Sequence, residues 1–346
     1  MTSVVILGAG VMGSAMCLPF ADRGFDIRLV GTHLDEHAIT SVQESGLHPK
    51  LNVILPANIT CFQHDKLTEA VGDGTDLILL GVASAGVTWA VERLASVLQK
   101  PVPILMITKG MTAQMGTLPD LVAHSLSHNL NSAVSVAAIA GPCIAGELAV
   151  RRPTGTVIVS RDLSLAQRLC NLLQTDYYQP RISQDMMGAE TCAAFKNFFA
   201  IAVGWAGGAQ QNLSPTKNNS QNNNAAAILF NQAVRELTVL VTALGGSADS
   251  VLGMPGVGDL YVTCQAGRNS RLGHHLGQGL RYQDVKSGPM QHDTIEGAEL
   301  GIAVAEHLRE IVRAGKIDGN KLPLTLALLN TLTHNEPFTP EWALYH

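Results

Sequence analysis

The sequence is short of charge. Asp, Glu, Lys and Arg together make up 15% of its 346 residues, against 46% hydrophobic residues. Such a chain buries a sizeable core and folds as a globular protein, with length enough for two domains. Its net charge of −5 gives no general electrostatic basis for binding nucleic acid, although a local basic patch is compatible with it. No C-x-x-C pair occurs among the cysteines at 17, 61, 143, 170, 192 and 264. Most of them sit in apolar runs, where a thiol packs as a small hydrophobe, so a reducing, cytoplasmic setting is expected. There is no H-E-x-x-H; His124 and His128 have helical i, i+4 spacing but no nearby third ligand, and no metal is expected. No apolar run is both long and uncharged enough to span a membrane, and no internal repeat is visible. The first strand, starting at Val4, leaves no room for a signal peptide.

The first half of the chain alternates between short apolar runs and helix-length stretches. "SVVILGAG" is β-branched and ends in glycines, Met12 to Asp22 reads as a helix, and "FDIRLVG" is a second strand. Further strands are expected at 76–82, 102–110, 134–142 and 154–160, with a helix over 87–100. Near-continuous apolar strands alternating with helices predict a mainly parallel sheet covered on both faces. From about residue 185 strand signals mostly stop, and helices are expected at 188–204, 225–244, 270–280, 294–314 and 322–333. The expected architecture is α/β: an N-terminal Rossmann-like, dinucleotide-binding domain over 1–187 and an all-helical substrate or catalytic domain over 188–346. The Asn- and Ser-rich stretch 208–227 reads as a solvated insertion between two helices, the sharper alternative being a flap over an active site.

Gly8, Gly10 and Gly13 form G-x-G-x-x-G directly after the first strand and open a helix. The first glycine permits the tight turn and the second lets the backbone approach a pyrophosphate. The third lets helix and strand pack closely, while the helix start at Val11 and Met12 attracts phosphate. Pro19 conflicts locally with that helix and is expected to kink it. An acid is missing where one would bind the ribose 2′-hydroxyl of NAD: the place holds Gly31, Thr32 and His33, and Asp35 is the first acid. Its absence removes repulsion against a 2′-phosphate. The expected cofactor is therefore NAD(P)H, with NADP favoured over NAD and Thr32, His33 or Arg28 as contacts.

Lys196 breaks a second local rule. Its helical neighbours Cys192, Ala193, Phe199 and Ala200 are apolar or small, and no acid lies within four residues. Burying an unpartnered ammonium is costly. Taken alone, such a lysine more often lays its stem along apolar surface and keeps its head in water. Four further segments give it company: "ITKG" (107–110), "AGPCIAGELAVRRPTGTVIVS" (140–160), "AAFKN" (193–197) and "GMPGVGDLYVTCQAGRNSRLGHHLGQG" (253–279). In this order and with these separations, and with "TIEGAELG" (294–301) and "KLPLT" (321–325), the chain resembles the NAD(P)-dependent sn-glycerol-3-phosphate dehydrogenases over nearly its whole length.

That resemblance implies reversible, NAD(P)H-dependent reduction of dihydroxyacetone phosphate to sn-glycerol 3-phosphate, supplying glycerophospholipid precursors. It implies that Lys196 is the catalytic lysine and that Lys109, in T-K-G, stands beside substrate and nicotinamide. Asp259 matches the aspartate of G-x-G-D-L, where it would orient Lys196 and balance its charge. Asn197, Thr263, Gly267, Arg268 and Asn269 fall at the substrate, with Arg268 also meeting the cofactor and Glu296 near it. A homodimer is expected from the resemblance and from the apolar helical domain. In the reduction direction an alkoxide forms and needs a proton, which a lysine supplies when partial burial and a nearby positive charge lower its pKa.

The chain departs from the family pattern around the expected pocket. G-P-[ST]-F-A reads G-P-C-I-A, losing a hydroxyl at Cys143, and "NAAAILFNQA" (224–233) lacks two usual arginines. These changes leave open another phosphorylated ketose as substrate. A ketopantoate-like hydroxyacid dehydrogenase shares the glycine loop and helix-borne lysine, but "TKG" and "GVGDL…GRN" argue against it. A non-catalytic nucleotide sensor is the alternative of another class, and retention of Lys109, Lys196, Asp259, Arg268 and Asn269 argues against it.

Overall fold

The computed structural model describes residues 2–209 and 222–345. The chain divides into a sheet unit, Met1–Lys109 with Leu118–Met186, and a helical unit, Gly110–Thr117 with Met187–His346. The change of unit after Met186 lies beside the composition change in the sequence. Segment 110–117, by contrast, sits within the strand-and-helix half of the chain and groups with the helices.

The sheet unit contains strands β1 (Ser3–Leu7), β2 (Asp26–Val30), β3 (Leu47–His48), β4 (Val53–Ile54) and β5 (Ile59–Phe62). They are followed by β6 (Thr75–Leu80), β7 (Ile104–Met106), β8 (Val136–Ala140), β9 (Thr154–Ser160) and β10 (Tyr178–Ser183). Its helices are α1 (Val11–Asp22), α2 (Glu36–Ser45), α3 (Leu67–Ala70), α4 (Val87–Val97), α5 (Leu118–Leu130), α6 (Ala145–Ala149) and α7 (Leu163–Leu173). Eight strands form one sheet in the order β10-β9-β8-β7-β6-β1-β2-β5, while β3 and β4 make a separate antiparallel pair. Within the large sheet β8–β9 is the one antiparallel pairing, so β9 and β10 run opposite to the other six strands. All five residues of β1 are buried, as expected of a strand covered on both faces. The chain leaves β1 toward β2 and β5 and returns to its other side with β6. Sheets of this type take their ligands at such a reversal, outside the carboxyl ends of the two strands, here β1 and β6.

The two sheet edges are the strands the sequence concealed. β10 carries Pro180 and Arg181 and buries only alternate residues, which an edge tolerates and a central strand does not. β5 is nowhere fully buried. Pro19 lies inside α1, yet the helix continues to Asp22 with everything from Gly13 to Ala21 buried.

The helical unit contains α8 (Met186–Ala209), α9 (Asn223–Ala243), α10 (Ala248–Leu252), α11 (Asp259–Gln265), α12 (Arg268–Gly277), α13 (Tyr282–Ser287), α14 (Glu296–Arg313) and α15 (Pro323–His334). Phe195, Phe198 and Phe199 of α8 meet one another in its core, Phe198 and Phe199 edge-on with centroids 5.4 Å apart. α8 and α12 touch backbone to backbone. A Cβ added to Gly273 would stand 2.0 Å from the Ile201 oxygen, and one on Gly277 2.2 Å from the Trp205 oxygen. Of the Asn- and Ser-rich stretch, residues 210–221 lie outside the described residues, and Asn223 onward begins α9.

Among the described residues one helix, α9, is long and apolar enough to cross a membrane by length and composition alone, a feature the sequence reading did not expect. Glu236 lies within it and ties it to the rest of the helical unit. The carboxylate is fully buried and accepts from Gln232 Nε2 (2.7 Å), Leu324 N (2.7 Å), Thr325 N (2.6 Å) and Thr325 Oγ1 (2.6 Å). It thus holds the free amides at the start of α15.

Candidate active site

In the sheet unit the ends of β1 and β6 are brought together by glycine. Gly8 has φ +113°, and a Cβ there would stand 2.7 Å from the Gly81 carbonyl carbon. A Cβ on Gly13 would stand 2.1 Å from the Gly8 oxygen. Gly81, which follows β6 in "DLILLGV", completes this contact and was not singled out in the sequence. Its signal is a glycine ending an apolar strand. Gly10 differs from its neighbours: a Cβ there meets nothing within 4 Å. α1 opens with no side-chain cap and no acid in its first turn, so the amides at Val11 and Met12 are not claimed by a capping side chain. An open backbone cradle at an uncapped helix start fits a dinucleotide pyrophosphate.

At the end of β2, Thr32 donates from N (2.9 Å) and Oγ1 (2.8 Å) to Asp35 Oδ2. His33 is exposed and lies edge-on to Trp89, 5.9 Å between ring centroids. Arg28, named above as a possible phosphate contact, is committed elsewhere: its guanidinium bonds Asp26 (3.2 Å) and the Ala70 carbonyl (2.9 Å). After β7, Thr108 Oγ1 donates to the Val82 carbonyl at 2.7 Å, fastening the T-K-G turn to the loop after β6. Lys109 follows it, half-buried.

In the helical unit Lys196 is 5% exposed and its ammonium donates to Asp259 Oδ1. Asp259 is 1% exposed at the start of α11, directly after the turn formed by Met254–Gly258. Thr263 Oγ1 returns a bond to the Asp259 carbonyl at 2.7 Å. Burial pushes the Cys264 thiol up to about 12, the Lys196 charge pulling the other way, so this neighbour stays protonated.

A second chain of contacts starts one residue on. Asn197 Nδ2 donates to Glu296 Oε2 (3.0 Å), Asn269 Nδ2 donates to Asn197 Oδ1 (3.0 Å), and the Gly297 amide donates to Asn269 Oδ1 (2.9 Å). These amides join α8, α12 and the start of α14. Arg268 stands at the exposed edge of this network, 3.8 Å from Glu296. Gly267 before it has φ +117° and no neighbour within 4 Å of an added Cβ, so glycine is required there by conformation rather than by crowding. Lys196, Asn197, Asp259, Thr263, Gly267, Arg268, Asn269 and Glu296 thus come together through α8, α11, α12 and α14.

A Rossmann sheet with an open glycine cradle, and a helical unit carrying a buried lysine–aspartate pair, define a dinucleotide-dependent oxidoreductase. Residues 3–166 match the model for the NAD-dependent glycerol-3-phosphate dehydrogenase N-terminus and residues 185–341 the model for its C-terminus. An NADP(+)-dependent glycerol-3-phosphate dehydrogenase of Archaeoglobus fulgidus is 34% identical over 285 residues, 82% of either chain. A glycerol-3-phosphate dehydrogenase [NAD(P)+] of an Exiguobacterium species is 31% identical, covering 96% of this chain and 91% of its own. The crystal structure of glycerol-3-phosphate dehydrogenase from Coxiella burnetii superposes with a TM-score of 0.79 at 26% identity, covering 97% of this chain and 96% of its own. The chain belongs to the NAD-dependent glycerol-3-phosphate dehydrogenase family.

Proposed function

We propose that the protein reversibly reduces dihydroxyacetone phosphate to sn-glycerol 3-phosphate, with Lys196 as proton donor and acceptor. The buried Lys196–Asp259 pair carries this reading. A reduced nicotinamide dinucleotide, its pyrophosphate held at the Gly8–Gly13 loop and the start of α1, would supply the hydride that converts the carbonyl carbon to a carbinol. The carbonyl oxygen then needs one proton, which Lys196 delivers from its ammonium; in the reverse direction the neutral amine takes it back. Asp259 holds the ammonium in one orientation and offsets the cost of burying it. Arg268 offers a planar fork to phosphate oxygens, at the edge of the Asn269–Asn197–Glu296 hydrogen bonds. Lys109 contributes a second positive charge toward substrate and cofactor.

NADP is favoured over NAD, because Asp35 spends one carboxylate oxygen on Thr32 rather than standing at the strand end as a ribose acid. The NADP(+)-dependent relative from Archaeoglobus fulgidus points the same way. The protein would act in the cytoplasm as a homodimer, supplying the glycerol backbone of phospholipids. Another phosphorylated ketose is the second reading, favoured by the two arginines missing from 224–233.

The test mixes purified protein with NADH or NADPH and a panel of dihydroxyacetone phosphate, other phosphorylated ketoses and ketopantoate. Loss of absorbance in the reduced nicotinamide band is followed. Fastest oxidation with dihydroxyacetone phosphate supports the proposal. Reaction with carboxylate substrates alone overturns it, and cofactor binding without oxidation by any ketone leaves the sensor reading standing.

A further inference from the structure

Ala9 is the residue between the first two glycines of the loop, and both of its backbone polar groups are held by side chains from outside the loop. Its N–H donates to Asp35 Oδ2 at 3.1 Å. Its carbonyl lies 3.1 Å from His48 Nε2. Asp35 is the residue before α2, and the same Oδ2 already accepts both donors of Thr32, so one oxygen ties the end of β2 to the glycine loop. His48 is 1% exposed and sits in β3, after α2. Its Nδ1 accepts from Leu51 N at 3.1 Å, which leaves the proton on Nε2 and makes that atom the donor to Ala9.

The flanking residues are fixed by backbone alone. Gly8 N donates to the Val30 carbonyl (2.8 Å), and the Gly10 carbonyl accepts from Ser14 N (2.9 Å). Ala9 is the one step of the loop whose orientation depends on side chains, and it precedes the open cradle at Gly10. Rotation of the peptide on either side of Ala9 would swing the Gly10 backbone out of line with the amides of α1.

We propose that Asp35 and His48 are positioning residues for the dinucleotide, clamping Ala9 from both sides so that the Gly10 backbone is set for the pyrophosphate before it arrives. Preorganisation of this kind lowers the cost of binding without adding a contact to the ligand. Asp35 therefore acts through the loop on NADH and NADPH alike. A ribose acid would instead favour NADH and repel the 2′-phosphate of NADPH.

The test is a titration of NADH and of NADPH into the protein, read by reduced-nicotinamide fluorescence with no ketone present, so its outcome is independent of which ketone is the substrate. Losing one clamp bond should weaken both cofactors about tenfold, the scale of a single buried hydrogen bond. Asp35→Ala should show this loss, and Asp35→Asn, whose amide oxygen can still accept, should recover most of it. His48→Gln keeps a donor near the Ala9 carbonyl and should bind better than His48→Ala. If His48→Ala does not fold, the Asp35 pair and His48→Gln still decide, thermal melting identifying the folded variants. In steady state the KM for cofactor should rise while the KM for ketone and kcat stay near wild type. Tighter NADPH with weaker NADH in Asp35→Ala would make Asp35 a ribose acid and overturn the proposal. Unchanged affinity for both in a folded Asp35→Ala protein would overturn it as well.

Discussion

Lys196 is where the sequence most clearly breaks a local rule, and the structure shows how the breach is offset. No acid lies within four residues of it on its own helix, and the partner arrives on α11 as Asp259, so the ammonium is buried but paired. Removing the lysine alone has two effects that must be separated. Turnover should fall by about 10²–10⁴-fold if Lys196 is the general acid. Loss of the ion pair to the 1% exposed Asp259 should also destabilise the unit by about 3–5 kcal/mol. Lys196→Met combined with Asp259→Asn should restore most of the melting temperature but none of the turnover. Recovery of kcat in that double variant would make the lysine structural. The lysine stood out by its apolar neighbours, but its role and its partner Asp259 were read from the family resemblance that A-F-K-N and G-x-G-D-L carry. Gly81, Asp35 and His48 were not legible, because each matters through a contact with the glycine loop that has no short-range spacing to reveal it.

Elements announced themselves when their burial was uniform and stayed hidden when it was not. β1, β6 and β9 are long apolar runs and were read directly, as were the major helices of the second half. β5 and β10 are edges, half-exposed and tolerant of polar residues and proline, and carry no such signal. α15 depends on an element distant in sequence. Glu236 of α9 accepts its first free amides from full burial, and that burial pushes the carboxyl pKa up while its four donors pull it down. Glu236→Ala should strand these donors and cost about 3 kcal/mol, seen as a lower melting temperature and faster amide exchange at Leu324 and Thr325. Exchange unchanged at those two amides would show that the cap is dispensable.

The end of α1 offers a pH test. Arg151, bonding Asp22 through two nitrogens at 2.7 Å, holds that carboxyl below its ordinary range, and Tyr177 adds a third bond at 2.6 Å. A depressed pKa in the folded state stabilises above the unfolded value of 3.8 and is lost as pH falls through the folded value. The group is largely solvent-exposed, so its worth is about 0.5–1 kcal/mol. The difference in melting temperature between wild type and Asp22→Asn should favour wild type at neutral pH and shrink below about pH 4. A constant difference down to pH 2 would show that the pair contributes nothing through charge.

At the scale of the molecule, two cores divide a chain whose sequence order does not quite follow them. Residues 110–117 lie between β7 and α5 of the sheet unit but belong to the helical unit, where Met111 and Met115 are 8% and 2% exposed. Nothing in composition signals this, since one short turn with two methionines reads as an ordinary connection. Met115 is held at φ +59°, in a turn closed by Met115 N to the Thr112 carbonyl (2.9 Å) and by Gly116 N to Thr112 Oγ1 (2.9 Å). The left-handed conformation costs a side-chain-bearing residue about 1–2 kcal/mol, and burial of the methionine, at about 1.5–3 kcal/mol, offsets it. The balance fixes an unusual order of variants. Met115→Ala keeps the strain and loses the burial, whereas Met115→Gly loses the burial but also the strain, so stability should fall as wild type, then Gly, then Ala. Amide exchange should locate the loss in α8 and its helical neighbours, with the central strands β1 and β6 unaffected. Protection lost in β7 and α5 instead, or alanine outlasting glycine, would return this segment to the sheet unit.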